Sequence, residues 1–304
     1  MTQYVQIVLT GVDGSTWHLA GPGAGSEGVT LNPTIQGFID APVKTLWIPG
    51  PFGEEYAGKR PQRRDMVFTV QSYDGDPVTW RQIDSRWRWA WDYDKEATLT
   101  VTTSYTGADG PVTDSRTLGV RLLEAPKAYA AKDPHITHDN PVVMTVAAAF
   151  PYWVGDSLTF QWTTANSTDS DSWLFANNGD VDAYPYYVAT APGTWTLPDF
   201  SWGSNLYARA VQDSARTVAL PALMAGENVL ADSDPRVQTL TSVLNTPVMQ
   251  RWKGQDLLYP IAAGARGYVP VSVANAAGGA AIQATIPQWF SRPWSMPVTI
   301  PYPN

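Results

Sequence analysis

Residues 177–185 read N-N-G-D-V-D-A-Y-P, and this stretch indicates how the second half of the chain folds. Gly179 permits a backbone turn that other residues resist, and Asp180 can tie that turn by accepting amide hydrogens. Pro185 limits the extension of the strand that follows. We interpret these three residues as making a fold rather than performing chemistry.

The sequence around this stretch is typical of a mostly β protein. Hydrophobic residues make up 44% of the 304 residues and charged residues only 16%, while 25 prolines and 24 glycines interrupt nearly every apolar run. This composition opposes long helices and favours short strands joined by turns. The length suits two domains of roughly 150 residues. We predict them at 1–155 and 156–304, with the boundary at Gly155-Asp156.

The second half carries short strand-like segments at spacings typical of a β-sandwich. The predicted strands are Leu158–Thr163, Tyr186–Ala189, Gly193–Leu197, Leu206–Val211, Val237–Leu244 and Tyr268–Val273. The polar residues 166–172 between the first two strands are interpreted as a loop.

The first half alternates in the same way but contains one segment with helical spacing. Its predicted strands include Tyr4–Leu9, Thr16–Leu19, Lys44–Pro51, Met66–Tyr73 and Val142–Phe150. Asp76-Pro77 is a good pair for a helix cap and first turn. Trp80, Ile83, Trp87 and Trp91 follow at spacings of 3, 4 and 4, so we predict a helix over Pro77–Trp91 that buries an aromatic stripe.

Two groups of arginines are candidate interface residues. The predicted helix carries Arg81, Arg86 and Arg88 on its other face, where they would meet water or a neighbouring subunit. Residues 51–61 are predicted to form a long loop that leads into a basic cluster. This cluster contains Lys59, Arg60, Arg63 and Arg64. We interpret it as solvated or facing a subunit; the alternative is a nucleic-acid site, which the acidity of the chain disfavours.

Charge and hydropathy narrow the classes of partner. The net charge is -8 and the pI about 4.8, the wrong sign for a protein that holds nucleic acid by neutralising phosphates. An acidic chain can still surround a DNA conduit, because repulsion keeps the passing polyanion off the wall. The most apolar stretch, residues 141–151, is far shorter than the roughly 20 residues that cross a bilayer, so we expect no membrane partner.

Nucleophilic catalysis receives little support. The chain has no cysteine, which excludes disulfides, thiolate metal sites and a cysteine nucleophile. Residues 155–158 read G-D-S-L, the nucleophile block of one esterase class, whose histidine base lies near the C-terminus. Here His18, His135 and His138 all precede Ser157, so we treat the match as chance.

Metal binding and glycosidase chemistry also receive little support from the sequence. His135 and His138 lie with Asp133 and Asp139 in one short stretch, but no completing ligand can be identified nearby. Several pairs of carboxylates also occur in turn-rich contexts, where aspartates usually bond their own backbone. These pairs are Asp169 with Asp171, Asp180 with Asp182, and Asp232 with Asp234. We therefore assign no catalytic acid, no metal site and no cofactor.

Tryptophans in the second half could stack on sugar rings or could build cores and subunit interfaces. They are Trp153, Trp162, Trp173, Trp195, Trp202, Trp252, Trp289 and Trp294. Carbohydrate binding therefore stays open as an alternative function.

Three blocks of the second half resemble, in order, elements of the distal tail proteins of siphoviruses, the bacteriophages with long non-contractile tails. Residues 177–185 resemble an N-x-G-D-x-x-A-x-P element, and residues 232–237 (D-S-D-P-R-V) resemble a D-x-D-P-R strand entry. Residues 252–261 (W-K-G-Q-D-L-L-Y-P-I) resemble a following block that ends in x-P-I. The fold-motif residues are Gly179, Asp180, Pro185, Asp234, Pro235, Gly254 and Pro260.

The resemblance implies an N-terminal β-barrel with one helix that assembles into a hexameric ring, and a C-terminal galectin-like β-sandwich. The ring would join the tail tube protein to the tail-associated hub protein and other tip proteins, and DNA would pass through its lumen without specific binding. This implies a non-enzymatic protein of the virion tail tip, assembled in the host cytoplasm. Galectins bind sugar through a motif that includes histidine, and no histidine follows His138. The alternatives are a carbohydrate-binding module of the tail tip that adheres to host cell-wall glycans, and a wall hydrolase.

Overall fold

The computed structural model describes residues 3–107, 110–129 and 132–295 of the chain, which divide into two compact units. Unit 1 comprises the residues up to Gly155 together with those from Phe290 onward, and unit 2 comprises Asp156–Trp289. The change of unit after Gly155 coincides with the boundary expected from the sequence, whereas the described residues 290–295 cluster with unit 1 and not with the expected second domain. Of that predicted domain, residues 296–304 lie outside the described residues. Among the described residues, no helix is long and apolar enough to cross a membrane.

Unit 1 is built mainly of antiparallel strands. Its elements are β1 (Tyr4–Thr10), β2 (Thr16–Ala20), β3 (Val29–Gln36), β4 (Val43–Gly50), β5 (Gly53–Pro61), β6 (Arg64–Tyr73), α1 (Pro77–Trp89), β7 (Ala97–Gly107), β8 (Gly110–Leu122), β9 (Lys127–Ala128), α2 (Pro134–Thr137) and β10 (Asp139–Ala148). Seven strands pair in the order β2-β1-β7-β8-β10-β6-β3, and their inward side chains share one core. The predicted mostly β class is confirmed, and the short helix α2 adds to the one helix that the resemblance implied for this domain.

Strand alternation places the core residues of unit 1. Along β6, Met66, Phe68 and Val70 are buried, while the residues between them are partly exposed. Because successive side chains of a strand point to opposite faces, this alternation directs one face of the sheet to the core. The predicted strand over Met66–Tyr73 is confirmed, and it begins two residues earlier.

The predicted helix forms, and it covers the core with its aromatic stripe. Asp76 caps α1 by accepting a hydrogen bond from the amide of Thr79, and Pro77 occupies the first turn. Trp80, Ile83 and Trp87 are buried. The helix ends at Trp89 instead of Trp91, and Trp91 is buried beyond the helix end.

Residues 51–61 differ from the prediction, because most of them form a strand rather than a loop. β5 pairs along its whole length with β4, and the two strands join through Pro51-Phe52. Glycines, charges and a proline in this stretch are typical of a loop, which explains why the sequence concealed the strand. The hairpin formed by residues 43–61 is called the arm below.

Unit 2 is a sandwich of two antiparallel sheets. Its elements are β11 (Trp153–Thr164, beginning in unit 1), β12 (Asp169–Ala176), β13 (Tyr186–Ala189), β14 (Thr194–Pro198), β15 (Thr217–Ala219), β16 (Val229–Asp232), β17 (Leu240–Ser242), α3 (Val248–Arg251), β18 (Arg266–Ala274) and β19 (Ala280–Phe290). One sheet has the order β17-β16-β13-β19-β11, and the other β12-β18-β14-β15. Phe175 and Val271 of the second sheet share a core with Tyr187 and Ile286 of the first. The predicted sandwich is confirmed.

Three predictions about the strands of unit 2 were wrong. Residues Leu206–Val211 form turns, because Leu206 and Val211 are exposed and Ala208 is left-handed. The predicted strand Val237–Leu244 shrinks to β17. Residues 166–172 are not all loop, since β12 begins at Asp169 and pairs along one side with β18.

Candidate functional site

The first motif block is a turn fastened by a buried asparagine. The Asn177 side-chain amide donates hydrogen bonds to the carbonyls of Val181 (2.8 Å) and Ile261 (3.0 Å). Its oxygen accepts the amide hydrogen of Gly179 (2.9 Å). The third motif block ends at Ile261, so this asparagine joins the first block to the third. Asp180, which was predicted to tie the turn, is exposed within it.

Gly179 is required by close approach rather than by its backbone angles. A Cβ atom at this position would lie 2.2 Å from the carbonyl oxygen of Trp289. That distance is shorter than any van der Waals contact, and the obstacle is backbone, which cannot rotate away. Any side chain at position 179 therefore forces the turn away from β19.

The second block stands beside the strand that follows Pro185. The carbonyl of Pro185 accepts hydrogen bonds from the amide (3.2 Å) and the hydroxyl (2.7 Å) of Ser233. Asp234 pairs with Arg236, and this hydrogen bond holds the pKa of the Asp234 carboxyl below its usual range. The Arg236 guanidinium lies 5.5 Å from the centre of the Trp289 ring. The block thereby links β16 to β19 through side chains.

The third block is held by two buried carboxylates. Asp199 accepts hydrogen bonds from the amides of Leu258 (3.0 Å) and Tyr259 (2.9 Å) and forms an ion pair with Arg216. Asp213 accepts the hydroxyl hydrogen of Tyr259 at 2.7 Å. A buried charge is tolerated only when it is paired and hydrogen-bonded, and both carboxylates meet that condition. The sequence did not indicate either aspartate, because the groups that they hold in the third block lie more than 40 residues away.

The remaining motif residues are Gly254 and Pro260 of the third block and Pro235 of the second. Gly254 adopts a left-handed backbone (φ 75°) that suits glycine, and Pro260 precedes Ile261, which bridges to Ala183. Pro235 lies between Asp234 and Arg236 in the turn after β16. The seven motif residues therefore stand in turns and strand ends of unit 2, and the arrangement offers no acid, base or nucleophile set for chemistry.

The basic cluster of residues 59–64 is divided between two environments. Lys59 and Arg60 are exposed on the arm, and Arg63 is exposed and paired with Asp65 through two hydrogen bonds of 2.7 and 2.9 Å. Arg64 is completely buried at the start of β6. The prediction that Arg64 lies in a surface loop was wrong.

Arg64 is buried because backbone carbonyls converge on its guanidinium. It donates to the carbonyls of Phe38, Pro151 and Ser291, each at 2.8 Å. Burial lowers the pKa of Arg64 to about 10, so the side chain still carries its charge at neutral pH. The planar, forked guanidinium can satisfy several carbonyls at once, which makes Arg64 a tie between three segments of unit 1.

The helix arginines are on the surface, as predicted, but their surroundings differ. Arg86 lies 5.5 Å over the ring of Trp17, and Arg88 pairs with Asp84 at 3.1 Å. Arg81 is exposed and has no ion-pair partner among the described residues. Of the three, Arg81 is thus the charge most available to another molecule.

The residues weighed for catalysis and metal binding are not assembled into sites. Ser157 is exposed on β11 and makes no hydrogen bond to a histidine in the part of the chain that the structure describes. His135 packs edge-on against Trp80, with ring centres 5.5 Å apart. Within residues 3–107, 110–129 and 132–295, no three or more acidic or imidazole side chains are grouped to hold a metal ion.

The tryptophans of the second half face inward. Trp153, Trp173, Trp195 and Trp252 are buried, and Trp162, Trp202, Trp289 and Trp294 are partly buried. The exposed tryptophans among the described residues are instead Trp47 on the arm and Trp89 at the end of α1. The exposed tryptophan rings of the described residues therefore lie on unit 1 and not among the tryptophans that the sequence suggested for sugar stacking.

Comparisons with known proteins show that the chain is similar in sequence to minor tail proteins of two mycobacteriophages and similar in fold to a phage Dit protein. No protein-family profile matches it. It is 28% identical to the minor tail protein Gp27 of Mycobacterium phage D29, over 95% of this chain and 98% of that protein. It is 26% identical to the Gp27 minor tail protein of Mycobacterium phage L5, over 95% and 96%. Its fold resembles the crystal structure of the SPP1 Dit protein, with a TM-score of 0.60 over 94% of this chain and 99% of that one, at 12% identity.

These likenesses extend over both units rather than over one shared domain. Each comparison covers 94% or 95% of this chain, so each likeness includes residues of both units. The resemblance that three short blocks suggested is thereby confirmed in sequence by the minor tail proteins and in fold by Dit.

Proposed function

We propose that this chain is a non-enzymatic structural protein of the distal tail of a phage, and that unit 1 assembles it into a closed ring. The observation that carries the proposal is similarity to minor tail proteins over 95% of the chain, together with the fold of SPP1 Dit, described as part of a hub adsorption apparatus. In this reading the ring joins the tail tube protein to the hub and other tip proteins, after assembly in the host cytoplasm.

The surface of unit 1 supports self-assembly. The arm exposes both of its faces, and its large exposed apolar side chains are Val43, Leu46, Trp47, Ile48, Phe52 and Tyr56. Contiguous exposed apolar residues usually mark an interface with another molecule. Copies that present different surfaces to each other generate a ring when the rotation between them closes.

The net charge of -8 suits a conduit for DNA better than a DNA-binding surface. A ring of such chains repels the polyanion and keeps it off the wall of the lumen. The predicted basic cluster would have opposed this function if all four residues were on one surface. Arg64 is buried and Arg63 is neutralised by Asp65, which leaves Lys59 and Arg60 as its exposed, unpaired members among the described residues.

Support for a carbohydrate-binding module is weaker, because sugar rings need an aromatic face open to solvent. None of the eight tryptophans considered for that function is an exposed residue. The hydrolase alternative lacks a base within hydrogen-bonding distance of Ser157 among the described residues.

Electron microscopy of virions labelled with an antibody against this chain tests the proposal. We expect label only at the end of the tail distal to the capsid. Virions assembled without the chain should lack the tip structure. Label along the whole tube, or virions that contain none of the chain, would contradict the proposed function.

A further inference from the structure

The arm is an unsupported hairpin. β4 and β5 pair with each other over their full length and with no other strand among the described residues. Its base is closed by a hydrogen bond from the amide of Gln62 to the carbonyl of Pro42 (2.9 Å). A two-stranded hairpin is at best marginally stable in water unless another surface packs on it. The arm therefore requires a partner that the isolated chain does not supply.

The tip of the arm combines an aromatic side chain with negative charge. Phe52, between the two strands, is fully exposed, and Glu54 and Glu55 follow it at the start of β5. Both glutamates are exposed and neither forms an ion pair within the described part of the chain. The tip thus suits a surface that is apolar and positively charged.

The outer face of α1 has this complementary character. Val78, Arg81, Ser85 and Trp89 follow one another at spacings of 3, 4 and 4, so they form one stripe along the helix. Val78 and Trp89 are exposed, Trp89 by 75%, and Arg81 has no acidic partner among the described residues. The stripe presents one positive charge between two apolar side chains. This charge is opposite in sign to the two glutamates of the arm tip.

We propose that the tip of the arm of one copy docks on the outer face of α1 of a second copy of this chain. Phe52 packs against Trp89, and Glu54 and Glu55 face Arg81. The eight residues of β4 span about 26 Å, enough to reach across to a neighbouring domain. The arm tip and the helix face are different surfaces of the chain. Each copy can therefore dock its arm tip on one neighbour while its helix face binds the arm tip of the other neighbour, as a head-to-tail ring requires.

The inference rests on the proposed ring, and cysteine cross-linking tests it directly, because the chain contains no cysteine. We would combine Phe52→Cys with Trp89→Cys in the full chain and treat it with a short bismaleimide, both in solution and in virions carrying the variant. A ladder of cross-linked multimers is expected. The matched control pairs Phe52→Cys with Tyr268→Cys, an equally exposed site on β18 of unit 2, and should give no ladder.

Charge reversal gives an independent readout of the same contact. Glu54→Arg with Glu55→Arg should weaken self-association, or incorporation into virions, about tenfold or more, because like charges then face each other. Adding Arg81→Glu to that variant should restore much of the loss. Circular dichroism of each variant establishes that it is folded.

The outcomes separate the docking contact from the ring. If the wild-type chain assembles but the Phe52→Cys/Trp89→Cys chain gives no ladder and charge reversal has no effect, the docking proposal is overturned and the ring stands. A cross-linked dimer without higher multimers also overturns it, since a closed two-copy contact cannot continue around a ring. If the wild-type chain neither assembles nor enters virions, the proposed function fails and the docking proposal fails with it.

Discussion

The guanidinium of Arg116 lies 3.5 Å from the centre of the Phe290 ring. Arg116 is a residue of β8, and it also donates hydrogen bonds to the carbonyl of Arg292 (2.9 Å) and the hydroxyl of Ser295 (2.7 Å). Trp294 packs against the unit 1 core and lies 6.0 Å from the ring of Phe38. Residues 290–295 thus return the chain to unit 1 after unit 2 is complete.

This return predicts that Phe290 stabilises unit 1 although it lies far away in sequence. Replacing Phe290 with Ala removes a ring that is only 8% exposed and that covers Arg116. We expect a loss of about 3–5 kcal/mol in the free energy of unfolding. Urea titration followed by tryptophan fluorescence measures it. Tyr93→Ala, at an exposed aromatic, is the control and should change stability little; equal effects of the two changes would contradict the assignment.

The last turn of α1 offers a matched comparison of a buried and an exposed tryptophan. Trp87 is 1% exposed and packs edge-on against Trp17, with ring centres 5.3 Å apart. Trp87→Ala should cost about 3–5 kcal/mol of stability. Trp89→Ala should leave the thermal melt of the dilute chain nearly unchanged, because that side chain is exposed. If both variants melt like the wild type, the buried stripe is wrongly placed.

Gly179 predicts a strain effect in unit 2. Gly179→Ala places a methyl group against the Trp289 carbonyl, so the turn must move and the hydrogen bonds of Asn177 are disturbed. We expect a lower melting temperature and a loss of roughly 1–3 kcal/mol in the free energy of unfolding. Gly278→Ala is the control, because its added Cβ would lie at an ordinary 3.6 Å from the nearest atom. A Gly179→Ala chain as stable as Gly278→Ala would show that the contact relaxes freely.

The structure also predicts whether the chain hydrolyses or binds cell-wall polymers. Because no base is hydrogen-bonded to Ser157 among the described residues and the eight tryptophans are not exposed, neither hydrolysis nor tight glycan binding is expected. Incubation of the chain with host wall fragments should release no soluble sugar. The assembled form is tested beside the single chain, since several weak sites on a ring could bind together. Saturable binding abolished by one tryptophan substitution, in a variant that stays folded, would instead support the carbohydrate-binding alternative.

Features that depend on neighbouring residues in the chain could be predicted from the sequence. The alternation in β6 and the Asp76-Pro77 cap of α1 each depend on a few adjacent residues. The spacing of short strands in unit 2 also predicted a β-sandwich, and three sequence blocks indicated a resemblance to distal tail proteins.

Features that depend on distant partners could not be predicted. Arg64 is indistinguishable from its neighbour Arg63 in sequence, and carbonyls 26, 87 and 227 residues away make it a core residue. Phe290 belongs to unit 1 for the same reason, through a contact with β8. The first strand of the arm was predicted, but its second strand was missed because a strand exposed on both faces lacks the apolar alternation that marks a half-buried strand.

Assembly into a ring is the central claim, and the mass of the full chain in solution tests it most directly. The full chain is needed because a fragment of residues 1–155 lacks Phe290 and the hydrogen bonds that follow it. Analytical ultracentrifugation over a range of concentrations, alone and with tail tube protein, should show a 33.2 kDa monomer converting to one closed species of hexameric mass. A chain that stays monomeric at every concentration, with and without the tube protein, and that is absent from intact virions would contradict the account.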